Sequence, residues 1–186
     1  MSLGLRERNR VAAKDSARRA AFDLMTQRGF DAVTVEEIAA TTGVSPSTLY
    51  RYFGTKEALV LSSSRTEQLI ERLGSDTSRR GWADAVQRAA AKVWGTDDTA
   101  RQELGLIVAN ESLLHAWERQ LLDQRTPLAE LFAQRRDKSR GAKDDVRAAV
   151  AIAVLTATLL RWHHDDGDRK DLARLLKKAF QSAQTE

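Results

Sequence analysis

Thr34 to Lys56 reads TVEEIAATTGVSPSTLYRYFGTK, and this stretch decides the fold. Thr34 and Glu37 have the spacing of a capping box, in which the threonine oxygen and the glutamate carboxylate satisfy amide donors at a helix start. A helix therefore begins at Val35. Ile38 and Ala39 supply its apolar side, and Gly43 ends it, because glycine enters the left-handed region without steric cost. Ser45 then caps a second helix whose first residue, Pro46, has no N–H to leave unsatisfied there. Two short helices joined by so tight a turn cross steeply, as in a helix-turn-helix. Ala39 and Gly43 are small enough to let them approach.

On the second helix Leu49 and Phe53 stand at i, i+4 and point into a core. Ser47, Tyr50 and Arg51 occupy the opposite face. Those three can donate hydrogen bonds to base edges or phosphates, and a DNA major groove is wide enough to admit the helix. Tyr50 also reads as a half-buried aromatic against the helix 1 face. Thr55 caps a further helix opening at Lys56, which sets a lysine beside free amides at a positive helix end, where phosphate is a natural ligand.

The run GVSPSTLYRYFGTKEAL resembles the tetracycline-repressor-like (TetR) family of bacterial transcription regulators, and RRAAFDLMTQRGFDAVTVEEIA extends the resemblance upstream, so that it covers Ala17 to Val60. The resemblance implies a three-helix DNA-binding domain over residues 1–55, including a basic N-terminal arm. A helical ligand-sensing and dimerisation domain follows over residues 56–186. It implies that Ser47, Tyr50 and Arg51 read bases, and that Thr34, Ser45, Tyr52 and Lys56 lie near phosphates. Pro46 stands where some members have a lysine or arginine. That leaves Arg51 as the strong candidate for a bidentate guanine contact.

Composition agrees with a nucleic-acid partner. The 186 residues are 42% hydrophobic, enough for a packed core, with a net charge of +4. The basic excess is concentrated at the start of the chain, where Arg6, Arg8, Arg10, Lys14, Arg18 and Arg19 face only Glu7 and Asp15. Such an arm attracts phosphate, or is a solvated tail. The absence of cysteine excludes disulfides and thiolate metal sites and fits a reducing cytoplasm. Charges at Arg6, Glu7, Arg8 and Arg10 interrupt any secretory signal. The longest apolar run, Ala148 to Leu160, falls short of the roughly 20 residues of a membrane span. The expectation is a soluble cytoplasmic, nucleoid-associated protein without a membrane partner.

No period-two alternation or phosphate-binding glycine loop occurs, so the chain reads as all-α with no cofactor. An enzyme needs a convergent acid, base or nucleophile. The one dense cluster, His163, His164, Asp165 and Asp166, reads as a solvated turn rather than a catalytic or metal site.

The remaining pattern predicts a linking helix from Lys56 to Leu73, another from Trp82 to Trp94, and a long segment from Thr99 to Arg136 that Pro127 kinks or divides. A helix from Asp144 to His163 is apolar on two sides. One stripe is Ala148, Ile152, Leu155, Leu159 and Trp162, and the other is Val146, Val150, Ala153, Ala157 and Leu160. A helix apolar all round must be covered all round. The second stripe is therefore expected to meet a second subunit, through Val150, Ala153, Ala157 and Leu160 together with Leu176 and Phe180 of the last helix, in a four-helix homodimer interface. Two heads related by a twofold axis read a palindrome with half-sites about 34 to 36 Å apart.

Trp94, Leu113, Trp117, Phe132 and Trp162 are bulky enough to line a cavity for an apolar or amphipathic effector, though each reads first as simple core. The resulting expectation is a ligand-responsive homodimeric repressor of a double-stranded DNA operator. A nonspecific DNA binder, or an activator without a small-molecule ligand, are the alternatives.

Overall fold

The computed structural model describes residues 4–61, 65–78, 80–95, 99–165 and 169–185. Among these residues the chain forms helices and no strand: α1 (Leu5–Arg28), α2 (Val35–Thr42), α3 (Pro46–Phe53), α4 (Lys56–Leu61), α5 (Arg65–Ser75), α6 (Trp82–Trp94), α7 (Thr99–Val108), α8 (Glu111–Asp123), α9 (Arg125–Gln134), α10 (Ala142–His164) and α11 (Arg169–Thr185). Helices α1 to α3 form a head, in which Ala17, Ala21 and Met25 of α1 pack with Phe30, Val33, Ile38 and Leu49 in a closed apolar centre.

The body is organised on α10, which packs against α6, α7, α8, α9 and α11. The first predicted stripe of α10 is this core: Ala148, Ile152, Leu155, Leu159 and Trp162 are all buried. Trp82 of α6 joins two other helices by packing on Phe132 of α9, with ring centroids 5.9 Å apart, and on Phe180 of α11, at 6.1 Å. The start of α10 is fixed electrostatically. The buried Asp144 carboxylate accepts from the Gly141 N–H at 3.1 Å and pairs with Arg136 at 2.5 Å. Burial alone would raise its pKa, but the Gly141 amide and the Arg136 charge outweigh that and hold it below the usual carboxylate range.

The segment from Thr99 to Arg136 divides differently from the sequence expectation. The first division falls at Asn110, whose side-chain oxygen accepts from the Leu113 N–H at 3.1 Å and caps α8. The second falls at Gln124. Pro127 neither kinks nor ends a helix, because it sits in the first turn of α9, where an amide proton would have no intrahelical acceptor. The linking helix is seen as α4 and α5, with residues 62–64 outside the described residues.

By length and composition α10 could cross a membrane. Its buried stripe and ion-paired Asp144 instead make it the central helix of the body.

Candidate nucleic-acid interface

The head places its outward face by locking the inward one. Thr34 Oγ1 accepts from the Glu37 N–H at 3.2 Å, and Glu37 Oε2 accepts from the Thr34 N–H at 2.8 Å, completing the capping box. Arg28 at the end of α1 donates to Glu37 at 2.9 Å and to the Ala32 carbonyl at 3.0 Å, which clamps α1 to the start of α2. The Thr34 amide and then Arg28 hold the Glu37 carboxyl below its ordinary pKa. Gly43, at φ 69°, turns the chain out of α2 in the left-handed region, and Ser45 Oγ accepts from the Thr48 N–H at 3.3 Å to start α3. Leu49 is then buried and Phe53 packs partly against the same core.

Ser47, Tyr50 and Arg51 are brought together on the exposed face of α3. Tyr50 keeps 48% of its surface open. The Ser47 hydroxyl lies 3.1 Å from that of Ser45. The Arg51 guanidinium leans back over Thr48 at 3.5 Å and over the Tyr52 ring, 5.5 Å from its centroid, and stays exposed. Thr34 and Ser45 are exposed at the ends of their helices, while Tyr52 and Lys56 are partly covered. The Lys56 ammonium rests 4.3 Å from the centre of the Phe30 ring, a cation–π contact that orients it at the edge of the head. Lys14, expected only as part of the basic arm, has its ammonium 5.5 Å from the Tyr52 ring centroid and 6.0 Å from that of Phe53.

Residues 18–62 match the family described as bacterial regulatory proteins, tetR family. Over those residues the head of the chain is similar to the TetR family. It is 46% identical over 44 residues to the HTH-type transcriptional regulator YdeS of Bacillus subtilis, a match covering 24% of this chain and 22% of that protein. The chain thus spans about a fifth of that relative's length. A longer match, 26% identical over 169 residues, covers 83% of this chain and 73% of the HTH-type regulator TcmR of Streptomyces glaucescens. In overall fold the chain is similar to NalD of Pseudomonas aeruginosa, the secondary repressor of the MexAB-OprM multidrug efflux pump, with a TM-score of 0.59 at 22% identity, covering 94% of this chain and 96% of that one.

Behind the head, the residues expected to form a ligand pocket do not meet in one place. Trp94 and Trp117 line a cavity with Leu61, Arg65, Glu103 and Gln120, but it is only water-sized, about 10 Å³. Leu113, Phe132 and Trp162 do not line it. They are buried in the general core, Phe132 against Trp82 and Trp162 beneath the Arg101 guanidinium at 5.8 Å. The cavity wall carries an ion pair, Arg65 to Glu103 at 2.9 Å, and Arg65 also donates to the Val93 carbonyl at 2.7 Å.

Three contacts tie the body to the head side. Asn110 donates to Asp31 at 3.0 Å, Ser112 donates to Glu57 at 2.8 Å, and Gln120 donates to the Leu61 carbonyl at 3.4 Å. Sequence reasoning missed them. Only Asn110 carried a trace, as a helix-capping residue between two apolar patterns.

Of the residues expected at a dimer interface, Ala153 and Ala157 are exposed, while Val150 and Leu160 are partly buried, Leu160 against the core. Leu176 and Phe180 correct the expectation. Both are buried within the protomer, because α11 turns its apolar stripe onto α10 and α6. Among the described residues no cluster of potential metal ligands occurs, and Asp166 lies outside them.

Proposed function

We propose that this protein is a sequence-specific DNA-binding transcriptional regulator, a homodimer released from a palindromic operator by a small molecule. The observation that carries the reading is the exposure of Ser47, Tyr50 and Arg51 on one face of α3, while Leu49 on the opposite face is buried in the head. Arg51 offers a bidentate donor for guanine, and Ser47 and Tyr50 offer hydroxyls. Thr34, Ser45, Tyr52 and Lys56 flank that face as phosphate contacts, which orient the helix without reading sequence.

The open side of α10, from Val146 at 61% exposure through Val150, Ala153 and Ala157 to Leu160, supports pairing of two copies. It is apolar and rich in small residues, so two such helices can approach closely. Effector control is supported by where the small cavity lies. Its walls include Leu61 and Arg65, on the α4–α5 segment that starts at Lys56. A ligand larger than water must push these walls apart, and it shifts the head only by binding the opened form more tightly. The setting is cytoplasmic.

The test is fluorescence anisotropy with the duplex upstream of the protein's own gene beside a shuffled duplex. Specific regulation predicts a preference of about a thousandfold or more for the natural duplex. Tyr50→Ala and Lys56→Ala are each expected to weaken that binding by about tenfold with helicity unchanged, at about 1.4 kcal/mol per decade. Equal affinity for both duplexes would replace the reading with nonspecific binding, and no binding at low salt would end it.

A further inference from the structure

A cleft of about 630 Å³ opens between the head and the body. That is the size of a small-molecule site, whereas the enclosed cavity beside it has room for about one water. One wall of the cleft is α1, and the others are α4, α5, Lys92 near the end of α6, and the start of α7. Arg65 and Glu103 line both spaces, so their ion pair is the partition between them.

The lining is divided by chemistry. Leu59 and Val60 are buried and, with the partly buried Phe22 of α1, form an apolar floor. Arg19, Arg72 and Lys92 are exposed around it, and among the described residues none of the three forms an ion pair. Two carboxylates of the lining are already engaged, Asp15 with Arg18 and Glu103 with Arg65. Asp23 is left as the opposing charge. Arg72 and Lys92 also border a neighbouring cleft of about 500 Å³, but there Arg80 and Arg88 are paired with Asp84 and the apolar surface is alanine alone. Unpaired cations and a broad apolar floor meet on the side of α1.

We propose that the head–body cleft binds an amphipathic carboxylate, its hydrocarbon chain over Phe22, Leu59 and Val60 and its charged end held by Arg19, Arg72 and Lys92. The proposal rests on the effector reading above, to which it gives a ligand class and a docking place on the outer side of the Arg65–Glu103 wall. Arg19 belongs to the head, and Arg72 and Lys92 belong to the body. A ligand held by all three binds best in one setting of head against body, and by that difference it favours that setting.

The experiment is equilibrium dialysis of the full chain against radiolabelled decanoate, with octanoate and decyltrimethylammonium as competitors. Each buried methylene contributes about fourfold in affinity, so octanoate should bind about fifteenfold more weakly. The decyl cation, with the same chain and the opposite charge, should not compete. Arg72→Gln with Lys92→Gln should weaken decanoate about tenfold, at about threefold for each exposed cation, and Arg19→Gln should weaken it about threefold. Lys177→Gln with Lys178→Gln removes the same charge from exposed positions on α11 that line neither cleft, and should change the affinity by less than about twofold.

An equal loss in the α11 variant and the cleft variant overturns the proposal, because net charge alone would then set the affinity. So does the absence of decanoate binding, competition by the decyl cation, or an Arg19→Gln variant that binds as the parent does. Anisotropy with the natural duplex, with and without decanoate, tests the effector reading separately. Decanoate that binds with the expected variant pattern and leaves the hold on the duplex unchanged keeps the site and removes it from effector control.

Discussion

Replacing Glu103 by glutamine tests whether the Arg65–Glu103 pair holds the cavity wall shut. Both side chains are only 13% exposed and their atoms meet at 2.9 Å. Two charges about 4 Å apart attract by about 4 kcal/mol at an effective dielectric of 20. Removing one partner of a buried pair costs about 3 to 5 kcal/mol, because the other charge stays desolvated. The residual exposure and the Val93 carbonyl at 2.7 Å relieve part of that cost. The expected loss is about 2 to 3 kcal/mol, which in a chain of this size lowers the melting temperature by roughly 4 to 12 °C.

The assay is thermal unfolding by circular dichroism within a double-mutant cycle of Glu103→Gln, Arg65→Met and the two combined. The combined variant should recover most of the loss, with a coupling energy above about 1 kcal/mol. If Glu103→Gln melts within a degree of the parent and the cycle closes to within about 0.3 kcal/mol, the pair is a bystander. The opening of this wall would then not be the step an effector must drive.

Other outcomes follow from the same geometry. Thr34→Ala should cost the head about 1 kcal/mol by removing the acceptor for the Glu37 N–H, seen as faster amide exchange in α2. Exchange equal to that of the parent would contradict this. Ala153→Arg introduces a charge on an already exposed face of the protomer, so it should leave the melt intact and give monomers by light scattering. A stable dimer in that variant would remove α10 from the proposed interface. The carboxyls of Glu37, Asp76 and Asp144 are all held below their ordinary values. Depressed groups stabilise the fold fully above their unfolded pKa and lose that contribution as pH falls through the folded value. Acid titration followed by circular dichroism should therefore be flat down to about the ordinary glutamate value of 4.5 and fall below it. A decline already under way at pH 6 would assign the loss to other groups.

What could be read from the sequence divides along the range of the interactions. The Thr34–Glu37 box, the Gly43 turn, the Ser45–Pro46 start and the buried stripe of α10 are set within a few residues, and their patterns survive in the linear chain. The Ser47, Tyr50 and Arg51 face follows from that phase. Leu176 and Phe180 failed because amphipathicity tells that a face is covered and not by which molecule. Of the five bulky residues offered for a pocket, Trp94 and Trp117 line a cavity while Leu113, Phe132 and Trp162 lie in the core, since close packing and cavity lining draw on the same side chains. The ties from Asn110 to the head and from Ser112 to α4 span 79 and 55 residues, a separation over which no local pattern operates.

Asn110 uses the two ends of one amide for two separate tasks. Its oxygen receives the Leu113 N–H that starts α8, and its nitrogen is given to Asp31 in the head. Hydrolysis of that amide to a carboxylate, the ordinary ageing chemistry of asparagine, would preserve the first task, because aspartate caps helices as well. It would turn the second into a confrontation of two carboxylates about 3 Å apart. A single uncorrected hydrolysis would thus leave α8 folded while its contact with the head turns from attraction to repulsion.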